Sequence, residues 1–154
     1  PYMKQQRWGR IVHLLPSLGR RSVNGAALSA ASQLALVGYS KMLSNELASF
    51  NITVNNLISG PVETNFLTST IESESHESGK SFDDLMRDTI TSIPIGRLGR
   101  PEEVGDLVAF LASERASFMT GSSVILDGGM RQQTISKLPS QSQEGSSVLI
   151  RKAD

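Results

Sequence analysis

Two histidines, His13 and His76, and no cysteine limit the chemistry this chain can support. Without thiols there is no disulfide, no thiolate nucleophile and no Cys-ligated zinc. His13 lies within the apolar run Gly9-Arg10-Ile11-Val12-His13-Leu14-Leu15, where a buried, hydrogen-bonded imidazole is expected rather than a catalytic one. His76 follows Glu72 by four residues, and a solvated acidic loop is expected there rather than a metal site. Ser29, His13 and an aspartate compose a hydrolase triad on paper, but no Gly-x-Ser-x-Gly elbow surrounds the serine. Tyr39 and Lys41 are two residues apart, on different faces of a helix, so they form no acid/base pair. No strand-like run leads into Gly-x-x-x-Gly-x-Gly and a helix, and Gly128-Gly129 open none, so no phosphate cradle is expected.

The elements that must position these residues belong to a chain of 154 residues, 38% hydrophobic and 19% charged, which fits one compact domain. Fifteen basic side chains balance fifteen acidic ones. Such neutrality argues against a nucleic-acid or acidic-membrane binder, which needs clustered positive charge. No apolar run approaches the roughly 20 residues that cross a bilayer, and no signal-peptide pattern is read in the opening residues.

Ile11–Leu15 reads as a buried strand, and the stretch from Pro16 to Gly25 as a loop. From Ala26 to about Phe50 the pattern is helical. Leu36, Tyr39, Leu43 and Leu47 form one face, and Ala31, Ala35, Gly38 and Met42 a second, so packing on both sides is expected. Ile52–Ile58 is a second strand. Residues 62 to about 81 are polar and read as a mobile surface segment, followed by a short helix near Phe82–Ile90. Pro101-Glu102-Glu103 starts another helix, with Val104, Leu107, Val108 and Leu111 as its buried stripe. Ser122–Leu126 is a third strand, and residues 131–154 read as a polar tail. Strands alternating with helices predict an α/β fold with a parallel sheet, and three strands leave that sheet incomplete on its own.

Several of these segments together resemble the short-chain dehydrogenase/reductase family: Gly9-Arg10-Ile11-Val12, the helix ending Leu43-Ser44-Asn45-Glu46-Leu47-Ala48, and Ile52-Thr53-Val54-Asn55. Gly60-Pro61-Val62-Glu63-Thr64, the run from Ile95 to Val104, and Thr120-Gly121 through Asp127-Gly128-Gly129 agree in order and spacing. The resemblance is closest to the 3-oxoacyl-carrier-protein-reductase-like branch and runs from about Trp8 to Met130. It implies a Rossmann-like parallel sheet with flanking helices, of which residues 1–130 are the C-terminal part, from the helix before the fifth strand onward.

In that family a Tyr serves as acid/base, a Lys four residues later lowers its pKa, and a Ser on the preceding strand end holds the substrate oxygen. The resemblance places Ser29 at the Tyr, Gln33 at the Lys and Pro16 at the Ser, so no catalytic residue is intact. Gly60, Val62 and Thr64 match positions that meet the nicotinamide end of the cofactor, with Ser59 where the family has Pro. The expectation is that this chain alone holds no cofactor, with NAD(P) implied only if the family function persists, and that it holds no metal. Tyr39, Met42 and Leu43 match a helix that family members pair between subunits. A homo- or hetero-oligomer is therefore expected, with an active paralogue as candidate partner, in the cytoplasm or an organelle lumen. The implied function is a degenerate, non-catalytic structural or regulatory subunit of an oxidoreductase. The alternative is an NAD(P)-dependent oxidoreductase for a carbonyl, hydroxy or acyl-thioester substrate, working through a divergent site near Ser29, His13 and the 62–90 region.

Overall fold

The computed structural model describes residues 1–17 and 26–130. Three strands form one parallel sheet in the order β1 (Gly9–Pro16), β2 (Ile52–Ser59), β3 (Ser123–Leu126). Register runs unbroken from Gly9 opposite Ile52 to Pro16 opposite Ser59, and from Asn56 opposite Ser123 to Ser59 opposite Leu126. Parallel neighbours need crossovers, and helices supply them. Helix α2 (Ala26–Leu47) joins β1 to β2, while α3 (Asn65–Ser78), α4 (Phe82–Thr91) and α5 (Pro101–Ala112) lie between β2 and β3. A short α1 (Tyr2–Gln6) precedes β1. The α/β class and the Rossmann-like arrangement are those expected from the sequence. The tail expected over residues 131–154 lies outside the described residues.

The polar segment after residue 62 is not a loop but helix α3. Its hydroxyls do not compete with the helix because they bond back into it. Thr68 Oγ1 donates to Thr64 O, Thr70 Oγ1 to Phe66 O, Ser73 Oγ to Ser69 O and Ser78 Oγ to Glu74 O. Thr64 Oγ1 caps the N-terminus by accepting from Leu67 N, and Gly79 ends the helix at φ 70°. Ile71 of α3 and Leu85 of α4 are buried where the two helices pack.

β2 is buried from Ile52 through Ile58, as the middle strand of a sheet covered on both faces must be. On one face, Leu47 of α2 packs on Ile52 and Val54, joined by Ile11, Leu43 and Phe50. On the other, Leu111 of α5 and Ala116 pack on Leu57, joined by Val12, Val104, Leu107 and Val108. Asn55 is fully buried and satisfied: its Nδ2 donates to Met119 O at 2.8 Å and its Oδ1 accepts from Ser122 N at 3.2 Å, which ties β2 to the entry of β3.

The two expected faces of α2 need correction. Ser40, not Tyr39, takes the inner position: Ser40 is fully buried, whereas Tyr39 is 58% exposed. Leu43 turns to the core rather than to the interface set, because it shares the inner side with Ser40 and Leu47. Ala31, Ala35, Gly38 and Met42 all face outward. Among the described residues no helix is long and apolar enough to cross a membrane.

Candidate functional site

In open parallel sheets, ligands bind beyond the carboxyl ends of the strands. Here those ends are Pro16, Ser59-Gly60 and Leu126-Asp127. Ser17 N donates to Ser59 O at 2.6 Å, and Gly60 N to Leu126 O at 2.8 Å, so the three ends are laced together by backbone.

The structure brings together the three positions singled out on β1 and α2. Ser29 and Gln33 lie one turn apart, and Gln33 Nε2 donates to Ser29 Oγ at 3.1 Å. Gln33 and Pro16 line one cleft of about 220 Å³, walled by Leu15, Val37, Ile58 and Ile125. None of the three side chains can exchange a proton near neutral pH. Proline has no hydroxyl, the serine alcohol has no base beside it among the described residues, and the amide of Gln33 carries no charge that would stabilise an alkoxide.

Gly60, Val62 and Thr64 belong to a different neighbourhood. A Cβ on Gly60 would sit 2.8 Å from Asp127 Cα, so glycine is required where the β2 end crosses the β3 end. Val62 bridges to Gly99, with Glu63 N donating to Gly99 O and Gly99 N to Pro61 O. The Thr64 hydroxyl is engaged in capping α3 and lies 3.3 Å from Val62 O. Val62 lines a smaller cavity, about 80 Å³, with Ile93, Ile95, Leu126 and Asp127. Glu103 stands at its edge, held by both Arg97 nitrogens at 2.7 and 2.9 Å and by Arg100 N at 2.8 Å. The Arg97 hydrogen bonds, then that of the Arg100 amide, bring the Glu103 carboxyl down to about 2.

The glycine at 60 is accounted for by Asp127 and the Thr64 hydroxyl by the α3 cap. Neither β2 nor β3 leads through a glycine-rich turn into a helix that could cradle two phosphates.

Sequence reasoning missed a polar inlay on the α2 face of the sheet. His13 is half-buried, with Nδ1 2.8 Å from Ser40 Oγ and 3.2 Å from Asn56 Oδ1. Ser40 Oγ also lies 2.8 Å from Asn56 Oδ1 and 2.7 Å from Leu36 O, and Asn56 Nδ2 donates to Ser123 Oγ at 3.1 Å. Ser40 has one proton and two carbonyl acceptors, so a proton on His13 Nδ1 completes the set. His13 is thus a structural, hydrogen-bonded imidazole, as its place in the strand suggested. Ser40 recurring between Leu36 and Leu43 was the available signal. His76 sits in the last turn of α3 rather than in a loop, and among the described residues no three metal-ligating side chains gather.

Comparison with known proteins follows this geometry. A family profile described as Enoyl-(Acyl carrier protein) reductase matches residues 1–131. Nodulation protein G of Azospirillum brasilense is 32% identical over 133 residues, covering 86% of this chain and 50% of that protein. The 3-oxoacyl-(acyl-carrier-protein) reductase of Aquifex aeolicus is 37% identical over 128 residues, 83% of this chain and 47% of its own length. Among solved structures, YwfH, an NADPH dependent reductase involved in bacilysin biosynthesis, superposes with a TM-score of 0.76 at 34% identity, over 84% of this chain and 50% of that one. A short chain dehydrogenase family protein from Francisella tularensis gives 0.71 at 29% identity, over 79% and 50%. The chain spans about half the length of the curated relatives it matches.

Proposed function

The chain belongs to the short-chain dehydrogenase/reductase family, and from that premise we propose that it is a non-catalytic structural or regulatory subunit of an oxidoreductase hetero-oligomer. The observation that carries this reading is the cleft at Pro16 and Gln33. It sits where the strand ends meet α2, and among the described residues no side chain lining it can act as acid, base or phenolate-stabilising cation. A positioned acid/base supplies about 10²–10⁴ in rate, and losing the constellation removes most of it. The outward-facing Tyr39 and Met42 of α2, 58% and 62% exposed, support a subunit contact with an active member of the family. NAD(P) then belongs to that partner, and the cytoplasm or a disulfide-free organelle lumen suits a chain without cysteine.

The full chain is expected to show no NADPH or NADH oxidation with acetoacetyl thioesters or small ketones, and to co-purify with an active family member when both are expressed. Robust turnover by the chain alone overturns the reading.

A further inference from the structure

We propose that Arg10 and Thr53 hold a single internal water molecule between them, at the amino ends of β1 and β2 and so at the opposite end of the sheet from the Pro16–Gln33 cleft. The two residues are register partners in the parallel pair. Their side chains therefore leave the sheet on one face, the face that carries Val12 and Leu57. The Arg10 side chain is 2% exposed and Thr53 4%. Arg10 Nε and Thr53 Oγ1 are both buried, and neither has a hydrogen-bond partner among the described residues. Left bare, a guanidinium N–H and a hydroxyl each carry the full cost of desolvation. Two such atoms on adjacent strands and one face are a pair that one shared molecule satisfies.

The remaining contacts of the guanidinium narrow what that molecule is. Nη1 donates to Gly9 O at 2.9 Å and to Asn51 O at 3.2 Å, and Nη2 donates to Glu114 Oε1 at 3.2 Å. The guanidinium carbon lies 5.0 Å from the centre of the Trp8 ring. A carboxylate and an aromatic face already meet the positive charge, which favours a neutral ligand over an anion. Nε can only donate, so the ligand must accept, while the Thr53 hydroxyl can do either. Both atoms are sealed from solvent, which confines the ligand to the size of water. Bound there, the water completes the hydrogen bonding of the arginine that ties the start of β1 to the turn Glu114–Ala116.

The test is ¹⁷O relaxation dispersion of water in solutions of the full chain, which counts held waters and is blind to hydroxyl protons, together with thermal unfolding. Thr53→Val is expected to lose the amplitude of one held water, and Thr53→Ser to keep it. Thr53→Val is also expected to lower Tm by about 2–6 °C, because Arg10 Nε loses its bridge. If that variant folds poorly, Arg10→Met removes the other donor and is expected to lose the same single water. An amplitude unchanged in the variant that folds overturns the site. So does a Tm that stays level or rises in Thr53→Val, since replacing an unpartnered hydroxyl by a methyl group is neutral or stabilising. A wild-type Tm that climbs with chloride at constant ionic strength overturns it in favour of a bound anion.

Discussion

Against β2, helix α5 sets Leu111 on Leu57 with Ala116 beside them, all three almost fully buried. On the opposite face of the same strand, α2 sets Ser40 on Asn56 and leaves an open cleft beyond Val37. The first face is filled mainly by dispersion and apolar burial, with Asn55 as a polar tie whose amide bonds Met119 O and Ser122 N. The second depends on four polar side chains meeting in one arrangement, which specifies geometry more than it stabilises. Apolar packing thus dominates one side of the sheet and an interlocked polar network the other.

The sharpest way to break that division is truncation on each side. Leu57→Ala is expected to cost about 3 kcal/mol, because a fully buried leucine leaves a cavity. Val37→Ala, on a cleft already open, is expected to cost about 1 kcal/mol or less. Urea-induced unfolding measures both, and equal losses would dissolve the contrast.

A smaller effect tests the inlay. Asn56→Ala is expected to cost about 1–3 kcal/mol by leaving His13, Ser40 and Ser123 short of a partner. Adding His13→Leu and Ser40→Ala to Asn56→Leu should then cost less than the sum of the single changes, by about 1 kcal/mol. Additive losses in thermal unfolding would mean that the four side chains do not act as a unit.

The smallest effect is at the exposed rim of the second cavity. Glu103 has its carboxyl lowered from 4.5 to about 2 by Arg97 and the Arg100 amide. A depressed folded-state value stabilises above the unfolded value and is lost as pH falls through the folded one. Stability should therefore decline between about pH 4.5 and pH 2, and Glu103→Gln should flatten that part of the profile. An unchanged Tm-versus-pH curve in the variant would show that solvent screens the pair to nothing.

Most of the fold was legible because its signals are local and regular. The Ile52–Ile58 run predicted a second strand, which the structure places at the centre of the sheet, and Pro101-Glu102-Glu103 the start of α5. Helix α3 was not legible, since Thr68, Thr70, Ser73 and Ser78 count against a helix by propensity and only their i−4 bonds reverse that. At the candidate site, Pro16, Ser29 and Gln33 were picked out by resemblance; Pro16 and Gln33 line one cleft, and Gln33 bonds Ser29 outside its lining. The Asn56–Ser123 contact spans 67 residues of chain, and no spacing rule reaches that far. Gly60 was readable as a turn residue, but its collision partner, Asp127, was not.

The order of the sheet makes β1 an edge, with one side of Gly9–Pro16 unpaired among the described strands and Leu14 57% exposed on it. A free edge of eight residues is a template that does not discriminate between the right neighbour and a chance one. The strand that occupies that edge therefore decides whether the sheet grows in register or by chance pairing.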